Sequence, residues 1–216
     1  SNEHLQRSFK FMNNDRFSSI IAETLKQYLY VFEENKISKI QNELSGFSFI
    51  NDLFQRCYLN DKNTQSYFEN LINNEDNVRN QDADYSRYIF FYLSYLIEHN
   101  KHDEAQELVY SLNYLDSSLL VSQAKKWIED ENFEKFKNFF SCTNSNDVIA
   151  EFLFLVANLY STQNNYEKSN FYLNMSHYLN PKFKFNLSLL AENYYLNKNY
   201  KKTLKILRSF NKKDDF

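Results

Sequence analysis

Two stretches in the last third of the chain correspond to one another at a fixed offset of 34 residues. Residues 150–181 read AEFLFLVANLYSTQNNYEKSNFYLNMSHYLNP, and residues 184–210 read KFNLSLLAENYYLNKNYKKTLKILRSF. The shift superimposes Leu153 on Leu187, Ala157 on Ala191, Tyr160 on Tyr194, Asn165 on Asn199, Tyr166 on Tyr200, Lys168 on Lys202 and Leu173 on Leu207, with Ser169 falling on Thr203. A constant offset over this length is the signature of a structural repeat. Each stretch divides around a short polar turn, STQNN or LNKN, into two segments whose bulky residues recur at i, i+3, i+4 and i+7, the period of one helical face. The unit is therefore helix, turn, helix. Ala157 and Ala191 let a partner helix approach, and Tyr160 and Tyr194 cover the next turn of the same face.

Glycine and proline exclude most competing architectures. The 216 residues contain one Gly, Gly46, and one Pro, Pro181. Dinucleotide fingerprints, P-loops and glycine-rich kinase loops each need several closely spaced glycines, so none is present. Sheets joined by tight primed hairpins are equally disfavoured, because their turns call for Gly. The apolar fraction of 43% supports a substantial core, and with 21 Phe and 17 Tyr that core is unusually aromatic. A net charge of -3 gives no global positive field for a phosphate backbone, so nucleic acid is not expected as a partner. Cys57 and Cys142 lack the CxxC spacing of a metal or redox pair and read as two buried free thiols. No apolar run approaches the length of about 18 residues that a membrane span needs, and the start, SNEHLQRSFKFMNN, lacks the apolar centre of a signal peptide.

The two clear units resemble tetratricopeptide repeats, of a divergent, bacterial-type kind. The pattern falls on Leu153, Val156, Ala157 and Tyr160 in the first helix and on Tyr166, Ser169, Leu173, Ser176 and Pro181 in the second. Ser169, Ser176 and Leu173 depart from the commonest choices there. The next unit matches through Leu187, Leu190, Ala191, Tyr194, Tyr200, Thr203 and Leu207. Upstream, YSRYIFFYLSYLIEHNKHDEAQELVYSLNYL fits a weaker unit with its turn at Asn100 and Ala105 in the small position. SLLVSQAKKWIEDENFEKFKNFF fits another, with Ala124 and Trp127 on its first helix and Phe133, Phe136 and Phe140 on its second. The units run over about 86–116, 117–149, 150–183 and 184–210, within a repeat region 84–210.

The resemblance implies an all-α, TPR-like solenoid of α-α hairpins coiled into a right-handed superhelix, with the first helices lining a concave surface. Carried over, the groove consists of Phe90 and Ser94, Val121 and Lys125, Phe154 and Asn158, and Ser188, Glu192 and Tyr195. Such a mixed aromatic and polar surface suits an extended peptide or a helix. The basic carboxylate clamp of chaperone-binding members would want Lys near Phe154 and does not find it.

Residues 1–80 read as divergent N-terminal helical hairpins: a short helix in SNEHLQRSFKFM, a long one in RFSSIIAETLKQYLYVFEEN, and a hairpin from FSFINDLFQRCYL and TQSYFENLIN. NNEDNVRNQDAD, residues 73–84, is polar and without periodicity, a linker or a long loop in a continuous stack. The repeats stop at RSFNKKDDF with no polar capping helix, which leaves an apolar end open to a partner, to further hairpins or to self-association.

Sites of chemistry are sparse. His99 and His102, beside Glu98, Asp103 and Glu104, have a spacing that a metal could use, but a two-His turn is weak without convergent partners. Glu33 with Glu34 and Glu129 with Glu131 read as solvated helix ends, and no nucleophile motif appears. Lys198, Lys201, Lys202 and Lys205 share a face that could meet an acidic protein or anionic lipid. The expectation is a non-catalytic protein-binding or scaffold module without cofactor or metal, or alternatively a segment of a larger envelope-associated assembly. A periplasmic or envelope location would follow from a removed leader, a cytoplasmic one otherwise.

Overall fold

The computed structural model describes residues 16–38, 45–73, 86–112 and 118–210. The short helix expected in residues 1–12 lies outside the described residues, as does the polar segment expected at 73–84 apart from Asn73. The described chain is helical, with no strand among the described residues. Its α-helices are α1 (Arg16–Glu34), α2 (Ser45–Tyr58), α3 (Thr64–Asn73), α4 (Ser86–Glu98), α5 (His102–Ser111), α6 (Leu119–Glu129), α7 (Ser145–Thr162), α8 (Tyr166–Leu179), α9 (Asn186–Leu196) and α10 (Tyr200–Leu207). A 3₁₀ helix, Phe133–Asn138, lies between α6 and α7.

The chain forms two compact units, Ser1–Thr64 and Gln65–Phe216. In the first, α1 packs on α2 through Ile21, Leu25, Tyr28, Val31, Leu53 and Phe54, all buried. The Tyr28 hydroxyl donates to Asn51 Oδ1 at 2.7 Å, and the Phe32 and Tyr58 rings meet at 4.5 Å.

In the second unit, neighbouring helices pack as hairpins, α4 with α5, α7 with α8 and α9 with α10, an arrangement resembling a helical repeat. The hairpins share one turn. Asn100, Glu131, Asn164 and Lys198 have φ of 57°, 54°, 58° and 58°, and the backbone N–H of each following residue reaches back to a carbonyl near the end of the first helix. These bonds run from Lys101 to Leu96, Asn132 to Trp127, Asn165 to Tyr160 and Asn199 to Tyr194, at 2.7–2.9 Å. This left-handed closure satisfies carbonyls the helix end would otherwise leave bare. Successive turn residues stand 31, 33 and 34 positions apart. After the turn, the Asn165 and Asn199 side chains accept from the Lys168 and Lys202 backbone N–H groups and cap the second helices. The two clearest hairpins also share a cation over a ring, Lys168 Nζ 5.1 Å from Tyr160 and Lys202 Nζ 5.0 Å from Tyr194.

Three expectations are corrected. Helix α4 is apolar on nearly every side, and eleven of its thirteen residues are buried, because a helix without a polar face must sit inside. Phe90 and Ser94, expected on the groove, are therefore core residues. The Phe90 ring stacks with Phe136 at 5.7 Å and Phe183 at 5.8 Å, and the Ser94 hydroxyl donates to the Phe140 carbonyl at 2.9 Å. Second, the second helix of the 117–149 unit is only the short 3₁₀ helix, with Phe140 beyond it. Phe133, Phe136 and Phe139 recur at strict threes, the spacing that eclipses side chains in a 3₁₀ turn, and Phe136 and Phe140 are buried. Third, neither cysteine is a free thiol: Cys57 and Cys142 are disulfide-bonded and buried. Spacing along the sequence carries no information about the Cα separation that permits a bridge.

Candidate functional site

The start of α9 is fixed by a buried polar network. Arg87, at the head of α4, donates from Nε to both oxygens of Glu151 at 2.7 and 2.8 Å, and from Nη2 to Glu151 and to Asn186 Oδ1. Asn186 in turn donates to Ser176 Oγ at 2.8 Å, and that hydroxyl donates to the Ala150 carbonyl at 2.7 Å. One guanidinium thus gathers α4, α7 and α9. Its faces are covered by Phe154, Phe183 and Phe91, with ring centroids 3.8, 4.8 and 5.3 Å away. The charge is tolerable inside because it is paired, hydrogen-bonded and surrounded by ring faces.

With its first turn pinned, α9 buries Leu187, Leu190 and Asn193 and turns its other side outward. Ser188, Glu192 and Tyr195 follow one another on that side, beside the small Ala191 and below Phe185, and all five line a cavity of about 710 Å³. The opposite wall comes from Leu119 and Gln123 of α6, and the remaining wall from Thr203 and Leu207 of α10 with Phe210 beyond it. Most of this lining is apolar, and Glu192 is the one charged residue in it. Much of the apolar surface is open: Leu119 is 84% exposed, Tyr195 59% and Leu207 51%. Such a pocket, with few polar groups among apolar walls, is suited to accepting apolar side chains.

The structure separates the residues expected to form one groove. Ser188, Glu192 and Tyr195 come together in this cavity. Val121 is buried, and with Lys125 it lines a smaller cleft of about 130 Å³ beside Val109. Lys125 Nζ there lies 5.3 Å from the Tyr110 ring. Phe154 is half-buried beneath Arg87, and Asn158 is exposed on α7 away from both cavities. Leu119, Gln123, Phe185, Leu207 and Phe210 went unforeseen. Leu207 aligns with Leu173, which is fully buried, so the repeat pattern alone assigns it to the interior.

The other candidates are occupied by ordinary contacts. The His99 ring bonds the Tyr95 carbonyl at 2.8 Å and lies 4.2 Å from the Tyr95 ring, while His102 stacks on Phe133 at 4.1 Å. Among the described residues no group of three or more His, Cys, Asp or Glu is placed to hold a metal. Glu33, Glu34, Glu129 and Glu131 are exposed, as are Lys198, Lys201, Lys202 and Lys205. Glu98 and Asp147 share Ser141, whose hydroxyl donates to Glu98 and whose backbone N–H donates to Asp147, both at 3.0 Å. Burial raises both carboxyls, Asp147 to about 6. Burial also raises the phenol of Tyr92, helped by a hydrogen bond to Glu69. No described helix is long and apolar enough to cross a membrane.

Comparison with protein-family models, with curated proteins and with solved structures gave no match, so the evidence for a repeat is the internal correspondence of the chain's own hairpins.

Proposed function

We propose that the chain is a non-catalytic protein-binding module of tetratricopeptide-like construction, which receives an apolar peptide or helix in the cavity between α6, α9 and α10. The observation that carries this reading is the cavity itself: about 710 Å³, mostly apolar, and lined by three residues that the repeat pattern places on the inner side of the last hairpin. Its backing is rigid, since Arg87, Glu151 and Asn186 pin α9, and a preformed site limits the ordering that binding must impose. The recurring left-handed turns at 31, 33 and 34 positions support the repeat assignment. The disulfide-bonded cysteines support maturation in an oxidising compartment, where such bonds persist, and so favour the periplasmic or envelope reading over the cytoplasmic one.

The test is selection from a displayed random-peptide library on the immobilised full chain, with a Ser188→Trp variant that fills the cavity as the control. Enriched peptides should carry spaced large apolar residues and lose at least tenfold in affinity for the variant. Enrichment that is equal on both proteins, with both folded by circular dichroism, rejects the proposal.

A further inference from the structure

The repeat itself specifies what kind of partner fits the far edge of this cavity. Helix α9 lies on the hairpin before it through four polar contacts. The Asn193 amide donates to Ser169 Oγ at 2.7 Å and to Asn170 Oδ1 at 3.0 Å, and Asn193 Oδ1 accepts from the Ser161 hydroxyl at 2.6 Å. Nearer the start of α9, Asn186 donates to Ser176 Oγ at 2.8 Å. The surface receiving α9 is therefore Ser161 on α7 and Ser169, Asn170 and Ser176 on α8, with Leu173 buried between them. Moved by the 34-residue offset, these five positions become Tyr195, Thr203, Leu204, Phe210 and Leu207. Four of the five line the cavity. Where Asn170 and Leu173 are buried, Leu204 and Leu207 are each 51% exposed. The last hairpin thus presents the seat that holds α9 one unit earlier, and among the described residues Leu119 and Gln123 of α6 face it across the cavity while Leu204 and Leu207 stay half exposed.

The chemistry of the seat has changed in passing from one unit to the next. Ser161, Asn170 and Ser176, which bond the amides of Asn186 and Asn193, are replaced by Tyr195, Leu204 and Phe210. An asparagine in the place of Asn186 would lose its hydroxyl partner to Phe210, and one in the place of Asn193 would lose its amide partner to Leu204 and keep the Thr203 hydroxyl, whereas an aliphatic side chain would bury apolar area. Charge defines the other flank. Lys205 and Arg208 are exposed beside the seat, where the preceding unit has the uncharged Phe171 and Asn174. A second copy placing its own α10 here would set like charges together, while a helix with carboxylates in its first turn would face those cations. Since Asn186 meets the end of α8 and Asn193 its beginning, α9 runs antiparallel to α8, and a helix seated in the same way brings its N-terminus to Phe210.

We infer that the edge formed by Tyr195, Thr203, Leu204, Leu207 and Phe210 seats an amphipathic helix of a partner protein, antiparallel to α10, with aliphatic residues in place of Asn186 and Asn193 and an acidic first turn. This inference rests on the binding role proposed above and gives its ligand a class.

The probe is a labelled synthetic peptide of residues 184–199 carrying Lys184→Glu, Asn186→Leu and Asn193→Leu, compared with the unmodified peptide by fluorescence anisotropy on the full chain. The altered peptide should bind at least tenfold more tightly than the unmodified one. Leu204→Asp and Leu207→Asp should each weaken it at least tenfold, with Leu204→Ser as a milder variant should the aspartates disturb folding. Equal binding of the two peptides, or affinity unmoved by every Leu204 and Leu207 change, overturns the inference. If library-selected peptides remain sensitive to Ser188→Trp in that case, the binding role survives and only the helix is rejected; if they too fail, both are rejected. A dimer of the unmodified chain in sedimentation that Leu204→Asp abolishes would make a second copy the occupant, and hydrogen-exchange protection of residues 204–207 by residues beyond 210 in a longer natural chain would make that segment the occupant; either result overturns the inference as well.

Discussion

Arg87 and Glu151 form an ion pair in the interior of the second unit, with side chains 5% and 1% exposed. The pair joins α4 to α7, and through Asn186 it also holds the start of α9. Removing one member of a buried pair leaves an uncompensated charge, which costs about 3–5 kcal/mol. Glu151→Leu alone should therefore lower the urea midpoint severely. The double variant Arg87→Met, Glu151→Leu should recover most of that loss, because replacing both charges by apolar groups leaves no charge unpaired, only Asn186 Oδ1 without its Arg87 donor. A double variant no more stable than the single one would mean that the guanidinium stabilises mainly through the rings of Phe154, Phe183 and Phe91.

Both cysteines are disulfide-bonded. Alkylation in denaturant without reductant should therefore label neither Cys57 nor Cys142, and should label both after reduction. Reducing these cysteines should lower stability by about 2–4 kcal/mol, chiefly by relaxing the unfolded chain. Denaturation curves with and without reductant measure this, and coincident curves would show that disulfide bonding contributes nothing to stability.

Asp147 makes stability depend on pH in the direction opposite to a salt-bridged carboxylate. Burial raises it from 3.8 to about 6, against the lowering effects of the Ser141 N–H and Lys182. The folded chain therefore holds this proton more tightly than the unfolded chain does. The contribution from this group is most favourable below the unfolded value and declines as pH rises through the window from 3.8 to about 6. Asp147→Asn keeps an acceptor for Ser141 and removes the charge. It should raise the thermal midpoint at pH 7.5 and change it much less at pH 4. An equal shift at both pH values would assign the effect to packing instead.

The hairpins were legible because repetition wrote them twice: Ala157 with Ala191, Tyr160 with Tyr194, and Asn165 with Asn199 occupy equivalent places in sequence and structure. What the repeat could not reveal was departure from itself. Phe90 and Ser94 sit at positions a regular array would expose, yet α4 is enclosed by Phe136, Phe140 and Phe183, contributed by segments that are not regular helices. Leu207 was hidden for the converse reason. Its equivalent Leu173 is buried by the next helix, and the pattern marks both as apolar without saying which one has a neighbour. The Arg87–Glu151 pair had no sequence signal, since its members belong to distant helices and charged residues are ordinarily read as solvated.

Lys198 and Glu131 occupy the left-handed turn positions that Asn fills at 100 and 164, with φ of 58° and 54°. For a residue with a side chain beyond Cβ this conformation costs about 1–2 kcal/mol, less for Asn, whose short polar side chain bonds locally, and nothing comparable for Gly. The second unit thus accepts strain at two of these four turns. Lys198→Gly should stabilise by about 1 kcal/mol, Lys198→Asn by less, and Lys198→Val should destabilise, because a β-branched side chain fits this region worst. The same order should hold at Glu131. Urea midpoints for the six variants test this, with the cation–π partners Lys202 and Tyr194 unchanged throughout. If Gly proves no better than Lys at 198, the lost freedom of the unfolded chain outweighs the relief of strain, and the absence of glycine from these four turns then reflects stability rather than composition.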